Sequence, residues 1–206
     1  MSTADLRLER WLEALLAEPG LTAVRNLAEA RRVHVDDALA AAALVTDGPV
    51  VDVGSGGGSP GIPLASARPD LRVVLLESQR GRCEFLVRAT EPFPNVEVVC
   101  ARAEEHGRGE GREAYGTAVA QALAPPPVAL EWCLPLVRTG GRVVLLAGAV
   151  DLEQAARASE AVGGGRPELL PLPGSARRSL LVVAKVAPTP ERFPRRPGAA
   201  RKRPLA

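Results

Sequence analysis

The apolar positions of the first 45 residues recur at helical spacing: Leu8, Trp11, Leu12, Leu15 and Leu16 share one face of a helix that Pro19-Gly20 ends. Asn26, with Glu29 three residues on, forms a capping box that opens a second helix to about Val45, closed by Asp47-Gly48. From Val50 the rhythm changes. Short β-branched runs alternate with helical ones: "VVDV", a helix after Pro60, "LRVVLLE", a helix from about Gln79 to Thr90, "VEVV", and a short helix near Glu104. The alternation continues through "TAVAQ", a helix around "VALEWCLPLV", the strand "RVVLLAG" and a helix from about Asp151 to Val162. Such repetition predicts an α/β fold on a parallel sheet. The last two runs, "PELLPL" and "RSLLVVAKV", are separated only by the polar "PGSARR" and predict an antiparallel hairpin.

Seven strands, mostly parallel with the last reversed, is the order of a Rossmann-like class I methyltransferase. The chain then divides into an N-terminal helical extension (1–48), a cofactor-binding core (49–188) and a basic, Pro/Arg-rich C-terminal arm (189–206). The arm holds six basic residues and one acid from Glu191 to Ala206, whereas the whole 206-residue chain is only +2. Its prolines and charges predict an extended segment, and its cations an anionic partner. Aromatic residues make up 3% of the chain, which argues against base stacking as the binding mode. Cys83, Cys100 and Cys133 are odd in number and widely spaced, so neither a disulfide framework nor a metal site is expected and a reducing cytoplasm fits. No apolar run approaches the ~20 residues of a membrane span, so no membrane partner is expected.

Directly behind the first strand stands "GSGGGSPGIP", Gly54 to Pro63. A glycine-rich turn between strand and helix lets a ligand touch the backbone. The spacing alone fits either a G-x-G-x-x-G or a G-x-G-x-G form and is weak evidence. A dinucleotide fingerprint starting at Gly54 would need a glycine where Ser59 stands. Asp52, just before the turn, suits the ammonium of an amino-acid-bearing cofactor, or the start of the next helix. Glu77 ends the second strand 19 residues beyond Gly58, where a carboxylate accepts from both ribose hydroxyls. Together these point to S-adenosylmethionine.

The same residues resemble the 16S rRNA guanine-N7 methyltransferases of the small ribosomal subunit, the glucose-inhibited division protein B family. "DVGSGGGSPGIPLA" is similar to that family's loop, "LLESQRGRCEFL" to its second-strand block, "ARAEE" to its third, and "FPRRPGAARKRPL" to its C-terminal signature. "LTAVRN", and His34 with Asp37 in "HVDDAL", are similar to its N-terminal blocks. The glycine turn itself offers Gly56 and Gly58 as cofactor contacts; the resemblance implies contacts at Gly54 and Ser59, a ribose contact at Glu77, an adenine edge along Ala103 and Glu104, and a further contact at Gln121. It implies phosphate contacts from Arg192, Arg195, Arg196, Arg201, Lys202 and Arg203.

The chain departs from the family at several positions. Gln121 stands where the family has Arg, Gly116 for Asp, Ala147 and Gly81 for Lys, and Gly20 for Asn. Guanine N7 has a free lone pair, so the reaction needs no general base. His34 is expected to be a structural histidine bonded to a backbone carbonyl or carboxylate. The implied protein is a cytoplasmic, monomeric enzyme acting on 16S rRNA in the 30S subunit. A binder of cofactor or ribosome that lacks turnover, and a methyltransferase with another substrate, stay open.

Overall fold

The computed structural model describes residues 3–175 and 178–205. Seven strands, β1 (Val50–Val53), β2 (Val73–Glu77), β3 (Val96–Cys100), β4 (Tyr115–Gln121), β5 (Val137–Ala147), β6 (Glu168–Pro171) and β7 (Ser179–Ala184), form one sheet in the order β3-β2-β1-β4-β5-β7-β6. Strands β1 to β5 run parallel, and β7 is antiparallel to both β5 and β6. The expected hairpin is therefore present; Ala176 and Arg177 of its turn lie outside the described residues.

Every residue of β1 and β2 is buried, which explains why these strands read as continuous apolar runs. Val50, Val73, Leu75, Val119 and Val144 face one helical layer, formed by α1 (Thr3–Ala17), α4 (Gly61–Ala67) and α5 (Arg80–Thr90). Val51, Val53, Val74, Leu76, Ala118 and Leu145 face the other, formed by α7 (Pro126–Cys133) and α8 (Leu152–Ala161).

The helical extension shares the first of these cores. Trp11, Leu12 and Leu15 are buried with Ile62 and Leu75, so the boundary at residue 48 is not a break in packing. Asn26 caps as expected, its Oδ1 accepting the Glu29 N–H at 2.9 Å. The second helix, however, is in three pieces: α2 (Leu27–Ala30), a π-helical turn (Arg31–Asp36) and α3 (Asp37–Ala42). Single π turns gather at functional sites, and this one carries His34. Buried Asp37 pairs with Arg178 beside the hairpin, fastening the extension to the far end of the sheet.

Two expectations are overturned. The C-terminal segment is not an extended arm but a docked strap. Thr189, Phe193 and Ala200 are buried. Arg112 donates to the Phe193 and Thr189 carbonyls at 2.7 Å each, and Arg108 to the Pro194 carbonyl at 2.7 Å. Lys185, fully buried, donates to the Leu134 and Val162 carbonyls and to Thr189 Oγ1, and burial pushes its ammonium pKa down to about 8. Prolines and charges looked like solvation because their partners lie far away in sequence. Second, Cys83 and Cys100 form a disulfide with a Cα–Cα distance of 5.8 Å. Cys100 is in register with Glu77, which brings it beside the first turn of α5 despite a separation of 17 residues. Cys133 is free and buried, its thiol pushed upward by desolvation.

Candidate cofactor site at the glycine loop

The strand order reverses direction between β1, which neighbours β2, and β4. In open α/β sheets ligands settle at such a switch point, beyond the carboxyl ends of the strands. The glycine loop lies there. Its N–H groups are partly spent in holding the turn: Gly54 donates to the Leu76 carbonyl at 2.7 Å and Gly58 to the Ser55 carbonyl at 2.7 Å. Gly56 has φ of 56°. A Cβ there would meet nothing closer than 3.9 Å, so this glycine faces open space. Gly58 serves a different purpose, since a Cβ on it would crowd Trp11 Nε1 at 3.2 Å and press into Ile62.

Glu77 is 4% exposed and organises the loop. Its Oε2 accepts the Gly56 N–H at 3.0 Å, and its Oε1 accepts those of Ser78 at 2.7 Å and Gln79 at 2.8 Å. Each carboxylate oxygen has two lone pairs, so acceptor capacity remains for a ligand hydroxyl. Asp52 is fully buried beneath the loop and accepts the Gly61 N–H at 3.0 Å, at the start of α4. Desolvation raises its pKa to about 7. It lines neither cavity described below, so the geometry gives it the helix-start role rather than the ammonium contact.

Two cavities flank the loop. The first, about 350 Å³, is bounded by Gly54, Glu77, Ala103 and Glu104 of α6 (Ala103–His106), Trp132 and Arg201. The second, about 390 Å³, is bounded by Leu15, Leu21, Val24, His34, Ser59 and Gln121, with Gly56 on its floor. They meet at Gly54, Arg82 and Ala122. His34 Nε2 lies 2.9 Å from Thr22 Oγ1, so its partner is a hydroxyl, not the expected carbonyl or carboxylate. Its Nδ1 is buried with no partner among the described residues, and burial lowers its pKa, keeping the ring neutral.

Residues 7–175 match the family model described as rRNA small subunit methyltransferase G. The chain belongs to this family. It is 41% identical over 198 residues to a ribosomal RNA small subunit methyltransferase G of Pelotomaculum thermopropionicum, covering 90% of this chain and 82% of that one. The protein of the same name from Moorella thermoacetica is 39% identical, with the same coverages. Among solved structures, a predicted O-methyltransferase from Agrobacterium tumefaciens aligns with a TM-score of 0.60 at 22% identity, over 74% of this chain and 82% of that chain. A T. thermophilus 16S rRNA N2 G1207 methyltransferase in complex with AdoMet and guanosine aligns with a TM-score of 0.54 at 19% identity, over 76% of this chain and 40% of that chain. These two likenesses show the fold.

Methyltransferase G membership gives the altered positions a frame. Gln121 joins three segments: its Nε2 donates to the Val33 carbonyl at 3.3 Å, and its Oε1 lies 2.9 Å from Ser59 Oγ. Ser59 Oγ is also 2.9 Å from the His34 carbonyl, and its one hydrogen serves one acceptor at a time. Ala147 borders a small apolar cavity of about 190 Å³ at the ends of β4 and β5. Gly116 is remote from the cleft, at the opposite end of β4, where its Cβ space is taken by the Asp47–Arg138 ion pair. That departure does not touch the site.

The phosphate-binding set also divides. Arg192, Arg196, Lys202 and Arg203 are exposed. Arg195 is not available, because it forms a two-pronged pair with buried Glu131, Nε to Oε1 at 2.7 Å and Nη2 to Oε2 at 2.5 Å. Arg201 stands on the rim of the first cavity. Sequence reasoning missed Trp132 and Arg201 as cavity residues: both sit in runs that read as ordinary helix and ordinary basic tail.

Proposed function

We propose that this chain methylates guanine N7 of 16S rRNA in the small ribosomal subunit, using S-adenosylmethionine, as a cytoplasmic monomer. The observation that carries this reading is the pair of cavities meeting at Gly54 and Ala122, one walled by hydrogen-bonding groups and the other mostly by apolar side chains. The first suits the nucleoside end of the cofactor: Gly54 bounds it with bare backbone, and Glu77 Oε2 retains a lone pair for a ribose hydroxyl. When bound, the cofactor supplies a methyl group activated by its sulfonium.

The chain's own contribution is positioning. Leu15, Leu21 and Val24 exclude water from the second cavity, where the acceptor base is received. Methyl transfer to N7 consumes a lone pair and releases no proton from that atom, so alignment suffices. Neutral His34, bonded to Thr22, fits a positioning role rather than that of a base. The exposed Arg196, Lys202 and Arg203 border an open depression of about 650 Å³ that suits RNA phosphates.

A silent binder is the second reading, favoured by the neutral Gln121 and Ala147 where the resemblance implies cations. Transfer from methyl-labelled cofactor to 30S subunits lacking the modification separates the two. Label recovered at guanine N7 is the expected result. Measurable cofactor binding with no label would sink the N7 reading and leave the silent binder or a methyltransferase with another substrate.

A further inference from the structure

Trp132 is 4% exposed and lines the first cavity, yet its indole Nε1 has no hydrogen-bond partner among the described residues. An indole N–H is a donor only, and a buried donor without an acceptor is a cost to the fold. The Arg201 guanidinium lies 5.2 Å from the Trp132 ring centroid, with Nη2 3.5 Å from the Leu123 carbonyl. Arg201 belongs to α9 (Ala199–Lys202), whose Ala200 is buried against Val128 and Trp132 of α7. Glu104, at the other side of this junction, spends Oε1 on the Gly198 N–H at 2.9 Å. The strap thus supplies part of the cavity wall. Lys202 follows Arg201 directly, and Arg196 and Arg203 border the open basic depression beside it.

We propose that Trp132 and Arg201 form the adenine wall of the first cavity, and that this wall couples cofactor binding to RNA phosphate binding by Arg196, Lys202 and Arg203. The inference rests on the reading of that cavity as the S-adenosylmethionine site. Adenine offers ring nitrogens that accept from an indole N–H, and a flat face that a planar guanidinium covers. A base that holds Trp132 and Arg201 also holds α9, and α9 carries the phosphate-facing cations. By thermodynamic reciprocity, RNA on the strap then tightens the cofactor equally.

The test titrates S-adenosylhomocysteine into the full-length protein by calorimetry, for wild type, Trp132→Phe and Arg201→Ala, and measures 30S-subunit affinity with and without saturating S-adenosylhomocysteine. Each variant is expected to bind S-adenosylhomocysteine about tenfold more weakly, the loss of roughly one hydrogen bond or stacked cation. Wild type is expected to bind 30S subunits about 5–10-fold more tightly when loaded. That gain should vanish in both variants. Wild-type affinity for S-adenosylhomocysteine in both variants, or a 30S gain that persists in them, overturns the proposal. Arg201 is exposed, so Arg201→Ala reports even if Trp132→Phe disturbs the core. No binding by wild type itself would instead overturn the cofactor reading on which the wall depends.

Discussion

The glycine loop and the C-terminal strap lie at the same cavity but are built by opposite means. The N–H groups of the loop are spent over short spans: Gly58 bonds to Ser55, and Gly56 reaches Glu77, 21 residues on. The clamps that tie the strap to the helices and turns beneath it are mostly distant in sequence. Arg195 reaches Glu131 over 64 residues, Arg112 reaches Phe193 over 81, and Gly198 reaches Glu104 over 94. A seat made of backbone announces itself as glycine in the sequence, because the backbone must be bare. A seat made of side-chain clamps leaves only scattered charges.

The contrast can be broken most forcefully at the strap. Glu131→Ala leaves Arg195 without its buried partner and should cost about 3 kcal/mol of stability, read as a shift in the urea midpoint. An unchanged midpoint would mean the strap is held elsewhere. At the loop, Gly56→Val should weaken S-adenosylmethionine about 100-fold or more, roughly 2.7 kcal/mol, by calorimetry, and should also strain the turn, because valine would have to adopt a φ of 56°. Wild-type affinity would reduce the loop to a turn.

Beneath the loop, Asp52 gives a pH signature. Its carboxyl stays neutral in the folded chain up to about pH 7 and ionises in the unfolded chain above about 4. The folded state therefore binds more protons in that window, and stability should fall as pH rises through it, by on the order of 4 kcal/mol. Asp52→Asn should flatten the slope in denaturation series at pH 4 to 8; a slope equal to wild type would assign it to other groups. The smallest effects belong to the strap's exposed cations. Lys202→Ala and Arg196→Ala should each lower the slope of log affinity against log salt for 16S rRNA by about one. Arg195→Lys, whose cation is held by Glu131, should leave that slope unchanged.

Most of the fold was legible because its signals are local. The 3.6-residue stripe of Leu8, Trp11 and Leu15, the Asn26 cap and the β-branched runs each report on neighbours within a few residues. The π turn at Arg31–Asp36 was not, since it inserts one extra residue per turn without altering the apolar pattern visibly. Nor was the Cys83–Cys100 bond, which depends on β2 and β3 lying side by side. In the site, Glu77, Ala103 and Glu104 bound the first cavity, while Gly58 and Asp52 serve packing and the helix start. Gly116 departs from the family without touching the site, because Asp47 with Arg138 fills the space a side chain there would take.

The docking of the strap also changes what can be trimmed or appended at this end of the chain. A cut after Val186, which composition alone would recommend as removal of a floppy basic tail, strips partners from Glu104, Arg108, Arg112, Glu113, Glu131 and Lys185 at once. Glu131, almost wholly inaccessible to water, would lose the Arg195 guanidinium that neutralises it inside the domain, and buried Lys185 would lose one of its hydrogen-bond partners. An affinity tag fused after residue 206 would begin six positions beyond Arg201, which stands on the rim of the first cavity.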